Sequence, residues 1–323
     1  MAHIIFDDKR IELDQGQTVL SALLDSGYDI PNSCRAGACQ SCMMQAVDGN
    51  IPDSAQQGLK DTQKAQGYFL ACSCTPDESL TIAAHDQSSL RIPATVIEHT
   101  IVSNDILQLR LKTEQDFTYR AGQFINIFKD KLSRSYSLAS VAELGELLEL
   151  HIRRIDSGIV SNWLHHEIKP GNKLEIQQAT GNCFYTSESS KEKILLAGTG
   201  TGLAPLIGIA RDALQQNHVG EIHLVHGAKQ VDDLYMHQSL INMSQQFDNF
   251  YYHASVLQAD EVIDPITTES IDKLVLNIAT EPSEWKHYLC GDENIVNTLK
   301  KKLFLAGASM SNIFTDPFIK SSD

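Results

Sequence analysis

Cys34, Cys39 and Cys42 stand in C-x4-C-x2-C spacing, and two further cysteines, Cys72 and Cys74, follow 29 and 31 intervening residues beyond Cys42. Thiolates are soft ligands suited to iron and zinc. Three from one tight loop and a fourth from a distant segment is the spacing with which proteins hold a [2Fe-2S] cluster. The loop Ser33-Cys-Arg-Ala-Gly-Ala-Cys-Gln-Ser-Cys42 carries Gly37 and the small residues Ala36, Ala38 and Ser41, so backbone N–H groups can approach the sulfurs. A structural zinc site is the competing use of such cysteines, but it ordinarily takes two matched C-x2-C pairs. Here the second half is Cys72-Ser-Cys74. In an extended segment those two share a face, so spacing alone leaves either as the fourth ligand. Seven cysteines in 323 residues is an odd count and argues against a disulfide scaffold.

Two other stretches combine groups that bind phosphate. Arg134-Ser-Tyr-Ser-Leu-Ala-Ser140 follows Ala121-Gly-Gln-Phe124. On a strand Arg134 and Tyr136 share one face, a cation and an aromatic platform for one ligand. Gly158-Ile-Val-Ser161 opens a helix whose N-terminus favours an anion. Standing alone, the arginine–tyrosine–serine string is more often surface decoration than a binding motif. The adjacent His165 and His166 point apart on that helix and are expected at the surface. Further on, Lys193-Ile-Leu-Leu-Ala-Gly-Thr-Gly-Thr-Gly-Leu-Ala-Pro205 reads as a strand, a glycine loop and a helix with proline in its first turn. Gly198, Gly200 and Gly202 allow a pyrophosphate close to the backbone, although a packing turn would use glycine too. No Gly-Lys-Ser/Thr follows, and the next strand ends in His226-Gly227 without an acid, so neither a P-loop nor the standard dinucleotide fingerprint fits.

These residues need three scaffolds, and the chain divides accordingly. Residues 1–88 hold 5 basic and 12 acidic residues, 89–188 hold 11 and 12, and 189–323 hold 10 and 17, with polar stretches at 85–89 and 186–192 between them. The first block opens with a hairpin and a helix that Thr18 caps and that stops near Gly27. The second is strand-rich, as in Ala94–Val102, Leu107–Lys112, Gln123–Phe128 and Leu147–Arg153, which favours an antiparallel barrel. In the third, strands 193–197, 221–226, 250–256 and 288–290 alternate with helices 204–216, 233–246 and 294–306, implying a parallel sheet with crossover helices. With 42% apolar and 21% charged residues the composition is that of a folded protein, not a disordered or fibrous one. A net charge of −15 argues against nucleic acid or an anionic membrane as partner. No apolar run reaches the roughly 20 residues of a membrane span. The acidic start MAHIIFDDKR lacks the features of a signal peptide, so a cytoplasmic protein is expected.

The segments SCRAGACQSC and FLACSCTPDESLTI resemble plant-type ferredoxins, an α+β β-grasp fold in which the fourth ligand stands four residues before the proline. The resemblance implies metal ligands Cys34, Cys39, Cys42 and Cys72, with Cys74 a bystander. The RSYS and GIVS strings resemble the flavin barrel of the ferredoxin–NADP reductase superfamily. This implies FAD-binding positions at Arg134, Ser135, Tyr136, Ser137, His151, Arg153, Gly158, Val160 and Ser161, with Arg134 on the pyrophosphate and Tyr136 on the ring. The AGTGTGLAP, HGAKQVDDLY and Cys290-Gly291 elements are similar to that superfamily's nicotinamide domain. They imply a nucleotide site at Gly198, Thr199, Gly200, Thr201, Gly202, Cys290, Gly291 and Asp292, with Ser137 and Cys290 flanking the hydride path. Asp292 and Val296 depart from the usual proline and methionine. Lys229 is the only base in the loop where NADPH users usually place arginine, which favours NADH. Phe318 resembles an aromatic tail that covers the flavin.

The whole order resembles reductase components of multicomponent oxygenases. A ferredoxin domain at 1–88, a flavin domain at 91–188 and a nicotinamide domain at 191–323 would pass electrons from NADH through FAD and the cluster to a partner protein, an oxygenase docking near the acidic ferredoxin. Alternatives are a non-oxygenase partner such as a deoxysugar dehydrase, an NADPH-dependent ferredoxin-type reductase, a redox sensor, or an N-terminal zinc module.

Overall fold

The computed structural model describes residues 2–28, 30–32, 34–37, 40–59, 61–84, 91–130, 132–186, 189–258 and 264–318. Cys39 and the polar stretch 85–90 lie outside the described residues. Three sheets form, each over its own core.

The first sheet contains β1 (His3–Phe6), β2 (Lys9–Glu12), β3 (Met43–Asp48), β4 (Tyr68–Leu70) and β5 (Leu80–Ala84) in the order β2-β1-β5-β3-β4. Its pairings are antiparallel apart from β1 with β5. α1 (Val19–Asp25) starts where the Thr18 hydroxyl accepts from the Ser21 amide, and it buries Val19, Leu20 and Leu23 against Ile4, Phe6, Met44 and Phe69. α2 (Asp61–Ala65) precedes β4. The cysteine loop runs between α1 and β3, while Cys72 sits in a single 3-10 turn, Ala71–Ser73, after β4. That turn overrides the extended geometry, so Cys72 and Cys74 do not share one strand face.

The second sheet is the expected antiparallel barrel, with β6 (Ile92–Ser103), β7 (Ile106–Thr113), β8 (Phe124–Lys129), β9 (Leu132–Ser137), β10 (Leu148–Arg153) and β11 (Lys173–Ile176) in the order β10-β7-β6-β11-β8-β9. A bridge from Leu138 to Leu150 links its two ends. Alternate residues, among them Leu107, Leu109, Leu111, Ile125 and Ile127, fill the interior. α3 (Ile159–His166) packs Val160 and Leu164 onto the same core. β11 is too short to stand out by periodicity.

The third sheet is wholly parallel, with β12 (Lys193–Thr199), β13 (Ile222–Gln230), β14 (Phe250–Gln258), β15 (Ile266–Thr267), β16 (Trp285–Asp292) and β17 (Ile313–Phe318) in the order β15-β14-β13-β12-β16-β17. α4 (Leu203–Gln215) and α5 (His237–Gln246) cover one face, and α6 (Ile271–Ile278) and α7 (Glu293–Leu305) the other. β12 therefore alternates Ile194 and Leu196 into one core with Leu195 and Ala197 into the other, which makes it apolar throughout. Strand order reverses between β12 and β16, and the crevice beyond their carboxyl ends is where such sheets bind ligands. The expected helix from 233 begins only at His237, because Met236 adopts φ +62 and breaks it. The C-terminal stretch expected as a tail is the edge strand β17. Among the described residues no helix is long and apolar enough to cross a membrane.

Candidate functional site

The cysteine loop closes on the turn after β4. The Cys72 amide donates to Cys42 Sγ at 3.4 Å, and the Ala36 amide reaches Cys34 Sγ at the same distance. Gly37 takes φ +74, and a Cβ there would stand 2.7 Å from Ser73 Oγ, so the close approach needs glycine. A hydrogen bond with Cys42 lowers the Cys72 thiol to about 7 against the effect of burial, with help from Ser73 and the Gly37 backbone. Cys74, fully enclosed among apolar side chains, is pushed up to about 12 by burial. The donor set around Cys34, Cys42 and Cys72 fits a centre held by thiolates. Cys74 belongs to the core.

β9 runs past this loop. Arg134 is half-buried, with Nη1 on the Ser133 carbonyl at 2.8 Å, and Tyr136 is half-buried two residues on, its hydroxyl raised by desolvation. Ser137 Oγ donates to Asp316 Oδ2 at 2.8 Å. Asp316 lies on β17 in register with Cys290 of β16, which is itself in register with Gly198 of β12. Desolvation, with the nearby Cys34 adding to it and Ser137 opposing it, pushes the Asp316 carboxyl up to about 6. The second and third sheets thus meet at one junction, which the cysteine loop approaches through Cys34. Asp316 carries no local sequence pattern that singles it out, since a lone acid ahead of Pro317 has no marked use. Cys183, which carried no expected role, lies with Sγ 3.6 Å from Cys290 Sγ.

The glycine loop lies against the carboxyl end of β16, and its glycines are needed for that close packing. A Cβ on Gly198 or on Gly202 would come within 2.4 Å of the Cys290 carbonyl oxygen, and Gly291 takes φ +115 against Thr199. Arg153 pairs with Asp105 at 3.1 Å and lays its guanidinium beside Gly200. His226 is buried next to the same loop, and desolvation takes it down to about 3. Lys229 is exposed at a cavity of about 440 Å³ that Gln230, Asp233, Leu257 and Gln258 also line.

Other expected positions have different surroundings. The His151 imidazole is buried with Nδ1 3.1 Å from Tyr235 OH and Nε2 3.0 Å from Glu149 Oε1, so both nitrogens are engaged by the protein. Ser161 Oγ donates to the Gly158 carbonyl and accepts from the Ile155 amide, which shapes the turn that opens α3 beside Val160. The Asp292 carboxylate caps α7 through the Asn294 and Ile295 amides, while its own N–H donates to Thr199 Oγ1. Phe318 ends β17 half-buried, in register with Asp292. His165 corrects the sequence reading: it is buried, with Nε2 2.9 Å from the Ile152 carbonyl, because α3 lies directly on the barrel. His166 is exposed as expected.

A thiolate loop, a barrel strand with a cation and an aromatic ring, and a glycine crevice converging on one point define an iron–sulfur flavoprotein oxidoreductase that takes electrons from a nicotinamide nucleotide. Residues 4–77 match the 2Fe-2S iron-sulfur cluster binding domain, 93–185 the oxidoreductase FAD-binding domain and 196–301 the oxidoreductase NAD-binding domain. The reductase subunit of an aromatic O-demethylase from Amycolatopsis sp. is 32% identical over 240 residues, covering 70% of this chain and 72% of that one. The phenol hydroxylase P5 protein of Acinetobacter pittii is 28% identical over 97% of this chain and 92% of its own. Among solved structures the Amycolatopsis cytochrome P450 reductase GcoB superimposes with a TM-score of 0.70 at 25% identity, covering 100% of both chains. The chain belongs to the family of NAD(P)H-dependent iron–sulfur flavoprotein reductases, and it binds a [2Fe-2S] cluster, FAD and a nicotinamide nucleotide.

Proposed function

We propose that the protein is the NADH-dependent reductase component of an oxygenase system, with domains at 1–88, 91–188 and 191–323, working in the cytoplasm where its thiols stay reduced. The observation that carries this reading is the junction of Ser137, Asp316 and Cys290 beside Cys34. The bound groups supply hydride transfer from nicotinamide to flavin and single-electron transfer from flavin to the iron–sulfur centre. The chain's residues position them. Arg134 sets a cation against the flavin pyrophosphate, Tyr136 offers the ring a platform, and Ser137 has its hydroxyl oriented by Asp316. The Gly198–Gly202 backbone and the α4 N-terminus receive the nucleotide phosphates, with Cys290 as the wall of the nicotinamide pocket. Cys34, Cys39, Cys42 and Cys72 hold the cluster.

NADH is favoured over NADPH because the end of β13 and the turn after it carry one cation, Lys229, close in sequence to Asp232 and Asp233, and a carboxylate suits a ribose hydroxyl better than a phosphate. The 12 acidic against 5 basic residues of 1–88 favour a partner with a basic face. Steady-state reduction of cytochrome c tests both nucleotides, with kcat/KM expected to be higher for NADH. A higher value for NADPH contradicts the assignment. Electron delivery to the native acceptor is expected to slow as salt rises, and a salt-independent rate contradicts docking through the acidic domain.

A further inference from the structure

The cluster loop meets the flavin strand at a buried pair of hydroxyls. Ser41, next to Cys42, and Ser133, next to Arg134, are both fully enclosed, and Ser133 Oγ approaches Ser41 Oγ at 3.4 Å. These residues are 92 positions apart, Ser41 in the loop that leads into β3 and Ser133 on β9 of the barrel. Buried hydroxyls are retained where they bond and orient, since an apolar pair would fill the space without the cost of desolvation. Here they lie on the seam between a cluster ligand and the flavin's phosphate clamp. Neither is among the residues assigned above to the cluster or to the flavin.

We propose that Ser41 and Ser133 are positioning residues for electron transfer from flavin to cluster, seating the iron–sulfur loop on β9 so that electrons cross at this seam. The proposal rests on the reading of the cluster and flavin sites given above. Each crossing removes one electron from the reduced flavin and adds one to the cluster, and the second follows when the cluster has passed the first to the acceptor. Flavin reduction by NADH precedes the crossing and does not depend on the seam.

The test uses the full-length holoprotein and the variants Ser41→Ala, Ser133→Ala, the double alanine and Ser133→Thr. Stopped-flow absorbance separates flavin reduction from the later cluster reduction, iron content and the electron paramagnetic resonance line shape report the cluster, and hydrogen exchange at 40–43 and 132–135 reports the seam. Each alanine variant is expected to slow cluster reduction by about threefold to tenfold, the ratio that one net hydrogen bond represents. The double variant should be no slower than either single one. Flavin reduction, iron content and line shape should stay unchanged, while exchange at the seam rises; Ser133→Thr should restore both rate and protection. Unchanged cluster reduction in every variant, multiplied losses in the double variant, or loss of iron from the alanine variants would overturn the proposal. Absence of an iron–sulfur signal in the unaltered protein would instead overturn the site reading beneath it.

Discussion

Replacing Cys72 with serine is expected to abolish the iron–sulfur chromophore, whereas Cys74→Ser keeps it and loses only stability. Cys72 faces Cys42, and its amide already donates to the Cys42 sulfur at 3.4 Å. A serine oxygen there is a hard donor in place of a soft thiolate. Cys74 is two residues away, but the 3-10 turn sends it into the apolar core beside α1, where its carbonyl accepts the Val19 amide at 2.8 Å. A hydroxyl in that place is desolvated among apolar neighbours and costs about 1–3 kcal/mol. Iron content and visible absorbance distinguish the two variants, with thermal unfolding as the stability measure. Loss of the cluster from Cys74→Ser with retention in Cys72→Ser would reverse the assignment.

Glu149→Ala is expected to loosen the joint between the flavin barrel and the nucleotide domain. The Glu149 carboxylate, on β10, accepts from Arg110 at 3.0 Å, from Arg211 of α4 at 3.1 Å and from His151 Nε2 at 3.0 Å. His151 in turn receives the Tyr235 hydroxyl from the nucleotide domain, and Arg211 also donates to the Ala139 carbonyl. Burial alone would raise the Glu149 carboxyl, but His151, Arg211 and Arg110 hold it well below the usual carboxylate range. Removing it takes the buried partner from both cations, leaving Arg110 with the exposed Glu98 and Arg211 with the Ala139 carbonyl, and it leaves a ring N–H unbonded. The cost is about 2 kcal/mol, below that of a fully buried broken pair, because both arginines keep a second partner and are 34% and 28% exposed. α4 carries at its N-terminus the glycine loop proposed to receive the nucleotide phosphates, so a loosened joint is expected to misplace the nicotinamide. Flavin reduction by NADH is expected to slow on the order of tenfold to a hundredfold with FAD still bound. Stopped-flow flavin reduction measures this, and an unchanged rate would limit the network to stability.

The same joint makes the protein sensitive to acid. Burial lowers both His151 and His226, so they are neutral in the folded protein. Below their ordinary value of 6.5 the unfolded chain binds more protons, and stability falls as the pH drops from there towards the His226 value of about 3. Glu149, held ionised, adds to the loss below its ordinary 4.5.

The cysteine spacing was legible in the sequence because three of the cysteines stand in one short loop, where local geometry decides what they can hold. The same is true of the glycine loop, whose strand, turn and helix follow one another without interruption. Thr18 as a cap and the alternation of the barrel strands were readable for that reason. The joints between domains were not. Glu149 and Arg211, Ser137 and Asp316, and Ser41 and Ser133 are 62, 179 and 92 residues apart, and neither member of any pair has a local pattern that names its partner. His151 shows the limit most clearly. Its place on β10 followed from periodicity, but its partners follow from how the nucleotide domain seats on the barrel.

The most direct measurement of the central claim is anaerobic addition of NADH to the purified protein, followed together by visible absorbance and electron paramagnetic resonance. Bleaching of the flavin band followed by the paramagnetic signal of a reduced [2Fe-2S] cluster in the same molecule is the predicted result. Flavin that bleaches while a cluster of full iron content stays oxidised, or protein that contains zinc without iron, would contradict the account.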